Sequence, residues 1–220
     1  PHQGIERTMI ERYLFMRPVL TLLEQEQFLR RAVATTLKVG AALIILLSLT
    51  LFFSAGRLLF DLPPSGILGA VLFEVFFVLA VYAAVHVLLI RARHIEQLAA
   101  SDYVALRMAP LVLRALAEAY AGFVSLVAVG TGLFVWFTNL SVEKVLYPVV
   151  RALFPSVRED ASFMGGIEFM LSGIFIAIGV LLIAYVVAEA ISLLTRSTRP
   201  AEQITRTPSA EERFRSRFGM

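Results

Sequence analysis

Four long apolar runs are the feature of this sequence that most constrains its fold. They cover residues 39–60, 66–90, 110–138 and 163–194. Each run reaches or exceeds the roughly 20 residues that an α-helix needs to cross a hydrocarbon core of about 30 Å. Backbone amides inside lipid must find partners within their own segment, so such runs form helices. The sequence therefore predicts an all-α integral membrane protein, a four-transmembrane-helix bundle.

The basic residues are distributed unevenly between the two ends of the predicted spans. Of the 20 Lys and Arg residues, only Arg57, Lys144, Arg151 and Arg158 lie on one side. Because positively charged flanks are retained in the cytoplasm, we expect both the N-terminus and the C-terminus to be cytoplasmic. Arginine greatly outnumbers lysine, which is typical of a GC-rich genome. We therefore expect a multi-pass protein of a bacterial cytoplasmic (inner) membrane.

The segments outside the spans divide the chain into three predicted parts. Residues 1–38 form a cytoplasmic N-terminal segment with an amphipathic helix over 18–38, residues 39–194 form the transmembrane domain, and residues 195–220 form a basic, flexible cytoplasmic tail. Apolar residues also recur at helical spacing over 141–155, which predicts an amphipathic helix on the outer membrane surface. Contact with the external domain of a partner is the alternative for this stretch.

Ionisable residues inside a bilayer are costly and are candidates for function. Counting along the spans predicts an outer group near one membrane surface and an inner group near the other. Glu74 is the deepest of them and follows Phe73 in the sequence. The predicted outer group is Arg57, Glu74 and Glu168, and the predicted inner group is His86, Arg114, Glu118 and Glu189. These residues either form part of a proton or cation path or neutralise one another between helices, Arg114 and Glu118 being spaced to pair along one helix face.

Small residues at four-residue spacing predict faces where helices approach closely. The third run carries Gly122 together with Ala128 and Gly132, and the fourth run carries Gly173, Ala177, Ala184 and Ala188. These residues predict tight helix packing in the second half of the transmembrane domain. The neighbour is either the other run of this chain or a helix of another protein.

The sequence lacks the motifs of common enzymes and cofactor sites. It has no cysteine, no phosphate-binding glycine loop and no zinc-protease or serine-hydrolase motif. Only one of the two histidines near the apolar runs, His86, lies within a run, so bis-histidine haem ligation is not expected and no cofactor is predicted. We expect a non-catalytic accessory subunit of a larger membrane complex, contacting lipid and other membrane subunits but no nucleic acid. A homo-oligomeric transporter or ion channel using Glu74, and a redox or quinone-handling protein using His86 and Glu118, are the alternatives.

Overall fold

The computed structural model describes residues 26–58, 60, 62–98, 104–140 and 161–197. This part of the chain contains four α-helices and no strand: α1 (Glu26–Leu58), α2 (Pro64–Glu96), α3 (Val104–Thr138) and α4 (Phe163–Ser197). All four are long and apolar enough to cross a membrane. For the described residues, the prediction of an all-helical chain with four helices able to span a membrane is thus confirmed. The predicted surface helix over 141–155, residues 18–25 of the N-terminal helix and the tail beyond residue 197 lie outside the described residues.

The helix ends at one side of the molecule follow from local sequence. Pro63 occupies the N-cap of α2 and Pro64 its first turn, where a missing amide proton costs nothing. Asn139 follows α3 with a φ of 51°, a left-handed conformation that asparagine tolerates and that terminates helices. The hydroxyl oxygen of Ser162 accepts a hydrogen bond from the Gly165 amide at 3.0 Å and so caps the start of α4.

The helices continue beyond the apolar runs at the opposite side of the molecule. α1 and α2 each contain 33 residues, which corresponds to about 50 Å of helix. In particular, α1 runs without a break from Glu26 to Leu58, so residue 38 is not a boundary between two helices. α3 likewise begins at Val104 and contains Pro110 within its second turn. Lys38 of α1 donates to Glu96 of α2 at 2.6 Å, which ties these extensions together.

The four helices are arranged as a chain of neighbours in sequence order. The main contacts join α1 to α2, α2 to α3 and α3 to α4, and a minor contact joins α1 to α3. As a result, half of the residues (50%) in the most apolar stretch of α3 are buried, compared with 33% in α2, 17% in α4 and 6% in α1. α3 is therefore the central helix, and α1 and α4 present most of their apolar surface outward.

Aromatic side chains fill the space between α2 and α3. Phe73 lies in edge contact with Phe134 and stacks along its own helix on Phe77, which in turn contacts Phe123. Phe73, Phe77 and Phe134 are all buried. Such pairs contribute about 0.5–1.5 kcal/mol each beyond the area that they bury. This contact fixes α2 against α3 and thereby positions the polar residues described next.

Candidate functional site

Three helices meet in a polar cluster formed by Arg91 of α2, Arg114 and Glu118 of α3 and Tyr185 of α4, which we call the inner polar cluster. Nε of Arg91 donates to Oε2 of Glu118 at 2.9 Å, and a second guanidinium nitrogen of Arg91 donates to Oε1. The Tyr185 hydroxyl donates to the same Oε1 at 2.6 Å. The carboxylate thus receives a two-pronged arginine from one neighbouring helix and a phenol from the other. Charge-assisted, bidentate bonds of this kind are among the stronger ones in proteins.

Arg114 takes a different position from the one that its spacing predicts. Its guanidinium carbon lies 5.0 Å from the centroid of the Tyr185 ring, a cation–π geometry. Nε of Arg114 is buried and has no hydrogen-bond partner among the described residues. The expected Arg114–Glu118 pair along one helix face is therefore replaced by a pair between helices. Arg91 can bring both prongs of its guanidinium to the carboxylate from α2.

The depth of the inner polar cluster follows from helix length. Glu118 lies about 30 Å along α3 from the last residue of that helix, Thr138. This distance equals the thickness of the hydrocarbon core of a bilayer. On α4, the residues just before Tyr185 lie at the same distance from the first residue, Phe163. With the hydrocarbon taken to begin at these two helix ends, the cluster falls where the hydrocarbon would meet the headgroups at the side opposite Trp136. It is open to its surroundings, since Tyr185 is 40% exposed.

His86 and Glu189, the other two residues of the predicted inner group, lie outside this cluster. His86 is exposed on α2 and its ring stacks on Tyr82 with 5.5 Å between centroids. Glu189 is exposed on α4 and is in no ion pair among the described residues. No hydrogen bond within the described ranges joins His86 to Glu118. His86 and Glu118, which are expected to form a polar pair in a redox protein, thus contact different residues: His86 contacts Tyr82, and Glu118 contacts Arg91 and Tyr185.

The predicted outer group is also not assembled as one cluster. Glu74 lies against α1, where its Oε1 would be 3.2 Å from a Cβ added to Gly56. That oxygen is buried and has no hydrogen-bond partner in the described part of the chain. Arg57 and Glu168 are both exposed, on α1 and α4 respectively. Since α4 shares no main contact with α1 or with α2, Glu168 is not held near the other two.

Hydroxyl groups between the two regions are mostly satisfied by their own helices. Ser125 donates to the Ala121 carbonyl at 2.7 Å, and Ser48 donates to the Ile44 carbonyl at 2.6 Å. Bonds of this type tie a hydroxyl to the preceding turn. Thr131 differs, because it is fully buried and its hydroxyl has no partner among the described residues. The described helices therefore present no continuous hydrogen-bonded path from Glu74 to Glu118.

Glycine contacts hold α3 against both neighbours near the Trp136 side. A Cβ on Gly132 would lie 2.7 Å from the Gly166 carbonyl oxygen, and one on Gly166 would lie 2.9 Å from the Gly132 oxygen. A Cβ on Gly130 would lie 2.8 Å from Cβ of Phe76, and one on Gly69 would lie 2.7 Å from Cβ of Phe137. Only the absence of side chains allows the backbones to approach this closely.

The predicted small-residue faces lie at helix contacts. A Cβ added to Gly122 of α3 would lie 3.8 Å from Cβ of Ala83 on α2. Gly173 and the three alanines of α4 are buried, and the main contact of α4 is with α3. The buried residues of these faces are Ala128, Gly132, Gly173, Ala177, Ala184 and Ala188. Gly166 and Gly69 belong to the same contacts, although their spacing does not mark them in the sequence.

Comparisons with known proteins add no family to this description. No family model, no curated protein and no solved structure matches the chain. Within the described residues, no group of three or more His, Asp or Glu side chains is placed to hold a metal ion.

Proposed function

We propose that this chain is a non-catalytic subunit of a larger membrane protein complex, to which it contributes helix contacts within the bilayer. The observation that supports this proposal is the open arrangement of the helices. α1 and α4 each have one main neighbour, and their outward surfaces carry large apolar side chains such as Leu46 (66% exposed) and Val186 (67% exposed). A helix of another subunit can pack on either surface without displacing any contact of this chain.

The inner polar cluster supports the same proposal, because its carboxylate is already engaged inside the chain. Glu118 accepts from Arg91 and Tyr185, and it thereby joins α2, α3 and α4. Both oxygens of this carboxylate accept charge-assisted or phenolic hydrogen bonds from neighbouring helices, which is an arrangement suited to holding helices together. We infer that the cluster holds the three helices in register. The distribution of Arg and Lys favours placing this end of the molecule, with both termini, in the cytoplasm of a bacterium.

Site-specific cross-linking in the native membrane tests the proposal. A photo-reactive amino acid is placed at Leu46, at Val186 and, as the matched control, at Val127, which is 1% exposed. We expect the two exposed positions to form a cross-link of defined mass with one other membrane protein, which also co-purifies in mild detergent at a fixed stoichiometry. Position 127 should give no link between chains. Lipid tails solvate an apolar surface as well as a helix does, so the absence of any protein product from both exposed positions would contradict the proposal.

A second candidate function is supported by one observation at Glu74. An oxygen of this side chain is buried between α1 and α2 with no hydrogen-bond partner among the described residues. Membrane carboxyls of this kind often bind protons or cations. Under this candidate, an oligomer of the chain moves ions along the α1–α2 contact. Reconstituted vesicles test it: Glu74→Gln should abolish the flux, and Glu168→Gln, at an exposed acid, should leave it unchanged. Equal flux in the wild type and Glu74→Gln would exclude the candidate.

A further inference from the structure

The inner polar cluster contains one positive charge more than its carboxylate can neutralise. Glu118 is engaged by Arg91 through both of its oxygens and by the Tyr185 hydroxyl. No ion pair joins Arg114 to a carboxylate among the described residues. The surplus charge thus belongs to the Arg114 guanidinium, whose Nε is buried and has no hydrogen-bond partner there.

A surplus guanidinium at this depth attracts an anion. The cluster lies about one hydrocarbon thickness from the far ends of α3 and α4, at the level where the lipid phosphates begin. An unpaired charge within hydrocarbon is costly, whereas an arginine at the boundary can bind a phosphate with two parallel hydrogen bonds. The anions closest to it in the membrane are those of the lipids themselves.

The surroundings of the cluster fit a lipid rather than a free anion. Ile90 of α2 and Val186 and Leu182 of α4, which neighbour Arg91 and Tyr185 in the sequence, are large apolar side chains that are 40%, 67% and 62% exposed. The side chain of Arg91 is 24% exposed and that of Glu118 is 19% exposed, and Arg114 is partly exposed although its Nε is buried, so the cluster is accessible from outside. A molecule with a phosphate and an acyl chain can contact both kinds of surface.

We propose that Arg114, supported by Arg91 and Tyr185, binds the phosphate of an anionic phospholipid at this membrane surface. The guanidinium of Arg114 donates to the phosphate oxygens, and the acyl chains lie on the exposed apolar side chains of α2 and α4. Glu189, one helical turn from Tyr185 on α4, is the nearest alternative carboxylate along that helix and is exposed. Its negative charge opposes binding of an anion, so its removal should not weaken the site.

Lipid retention by the purified full chain tests this proposal. The chain is prepared with phosphatidylglycerol or with phosphatidylcholine, and bound lipids are counted by native mass spectrometry. We expect the wild type to retain one phosphatidylglycerol in preference to phosphatidylcholine. Arg114→Gln should lower the apparent affinity about tenfold, as expected for the loss of one charge-assisted interaction. Arg114→Lys should have an intermediate effect, and Arg57→Gln, at an exposed arginine near the other surface, should have none.

The other arms of the experiment separate a lipid from a free phosphate and from a structural effect. Soluble glycerol 3-phosphate should not displace the bound lipid, and Glu189→Gln should retain it at least as well as the wild type. Equal retention of the two lipids by the wild type would overturn the proposal, and this comparison does not depend on any variant folding. Displacement by the soluble phosphate, or unchanged affinity in a folded Arg114→Gln protein, would overturn it as well.

Discussion

A single methyl group added at Gly166 should weaken the contact between α3 and α4, whereas the same methyl group at Gly179 should not. The Cβ of Gly166→Ala would lie 2.9 Å from the Gly132 carbonyl oxygen and 2.5 Å from Nε1 of Trp136. At Gly179, on the same helix, no atom beyond the adjoining backbone of that helix lies within 4 Å of the added Cβ. The two variants make the same chemical change, so their comparison isolates the close approach of the backbones.

The expected size of the effect follows from two opposing contributions. Replacing glycine by alanine within a helix favours the helix by up to about 1 kcal/mol. Both positions lie within α4, so most of this contribution cancels when the two variants are compared. Overpacking a close contact costs about 1–3 kcal/mol. Because the Gly132 oxygen belongs to the backbone, it cannot move without shifting α3. We therefore expect Gly166→Ala to be less stable than Gly179→Ala by about 1–3 kcal/mol.

The chain carries its own reporter for this measurement. Trp136 is the only tryptophan in the sequence, its Nε1 donates to the Phe163 carbonyl at 2.8 Å, and its ring stacks on that of Phe163. Its fluorescence during reversible unfolding in sodium dodecyl sulfate therefore reports directly on the α3–α4 contact. We expect an earlier transition and an altered folded-state spectrum for Gly166→Ala only. Coincident transitions for the two variants would refute the account of this contact.

Three further substitutions test the polar contacts by the same titration. Arg91→Gln removes both prongs from Glu118 and should cost about 2 kcal/mol, whereas Arg93→Gln, at an exposed arginine two residues away, should change stability by less than about 0.5 kcal/mol; equal effects would show that the pairing is unimportant. Tyr185→Phe keeps the ring but removes the hydroxyl and should cost about 1 kcal/mol; an unchanged transition would show that its bond to Glu118 contributes nothing. Lys38→Gln breaks an ion pair whose side chains are 44% and 37% exposed and should cost less than about 1 kcal/mol; a loss as large as that of Arg91→Gln would contradict this ranking.

The sequence predicts the membrane-spanning segments well, but it does not predict how far the helices extend beyond them. The predicted ends at residues 138 and 163 coincide with the ends of α3 and α4, because Asn139 and Ser162 are local stop and start signals. At the other side, hydropathy marks only the hydrocarbon, whereas α1 and α2 extend past it with charged residues. Pro110 likewise resembles a helix start but lies inside α3, where it removes the amide hydrogen bond to the Leu106 carbonyl without ending the helix.

The contacts between helices are less predictable, because they depend on register. The four-residue spacing of Ala128 and Gly132 indicates a close-packed face, but Gly166 faces Gly132 only once α3 and α4 are aligned. Similarly, the local spacing favours Arg114 as the partner of Glu118, and only the alignment of α2 with α3 brings Arg91 there instead. Local rules identify residue types and faces, whereas partners across helices require the fold.

The most direct test of the central claim, that this chain spans a membrane four times with the inner polar cluster at the cytoplasmic side, is the labelling of single cysteines in intact cells. The chain has no cysteine, so no background substitutions are needed. Cysteines are placed at Leu140, beyond the end of α3, and at Gln97, beyond the end of α2, both of which are exposed. We predict that a membrane-impermeant maleimide labels position 140 in intact cells and position 97 only after the membrane is permeabilised. Labelling of position 97 in intact cells, or of both positions equally, would contradict the account.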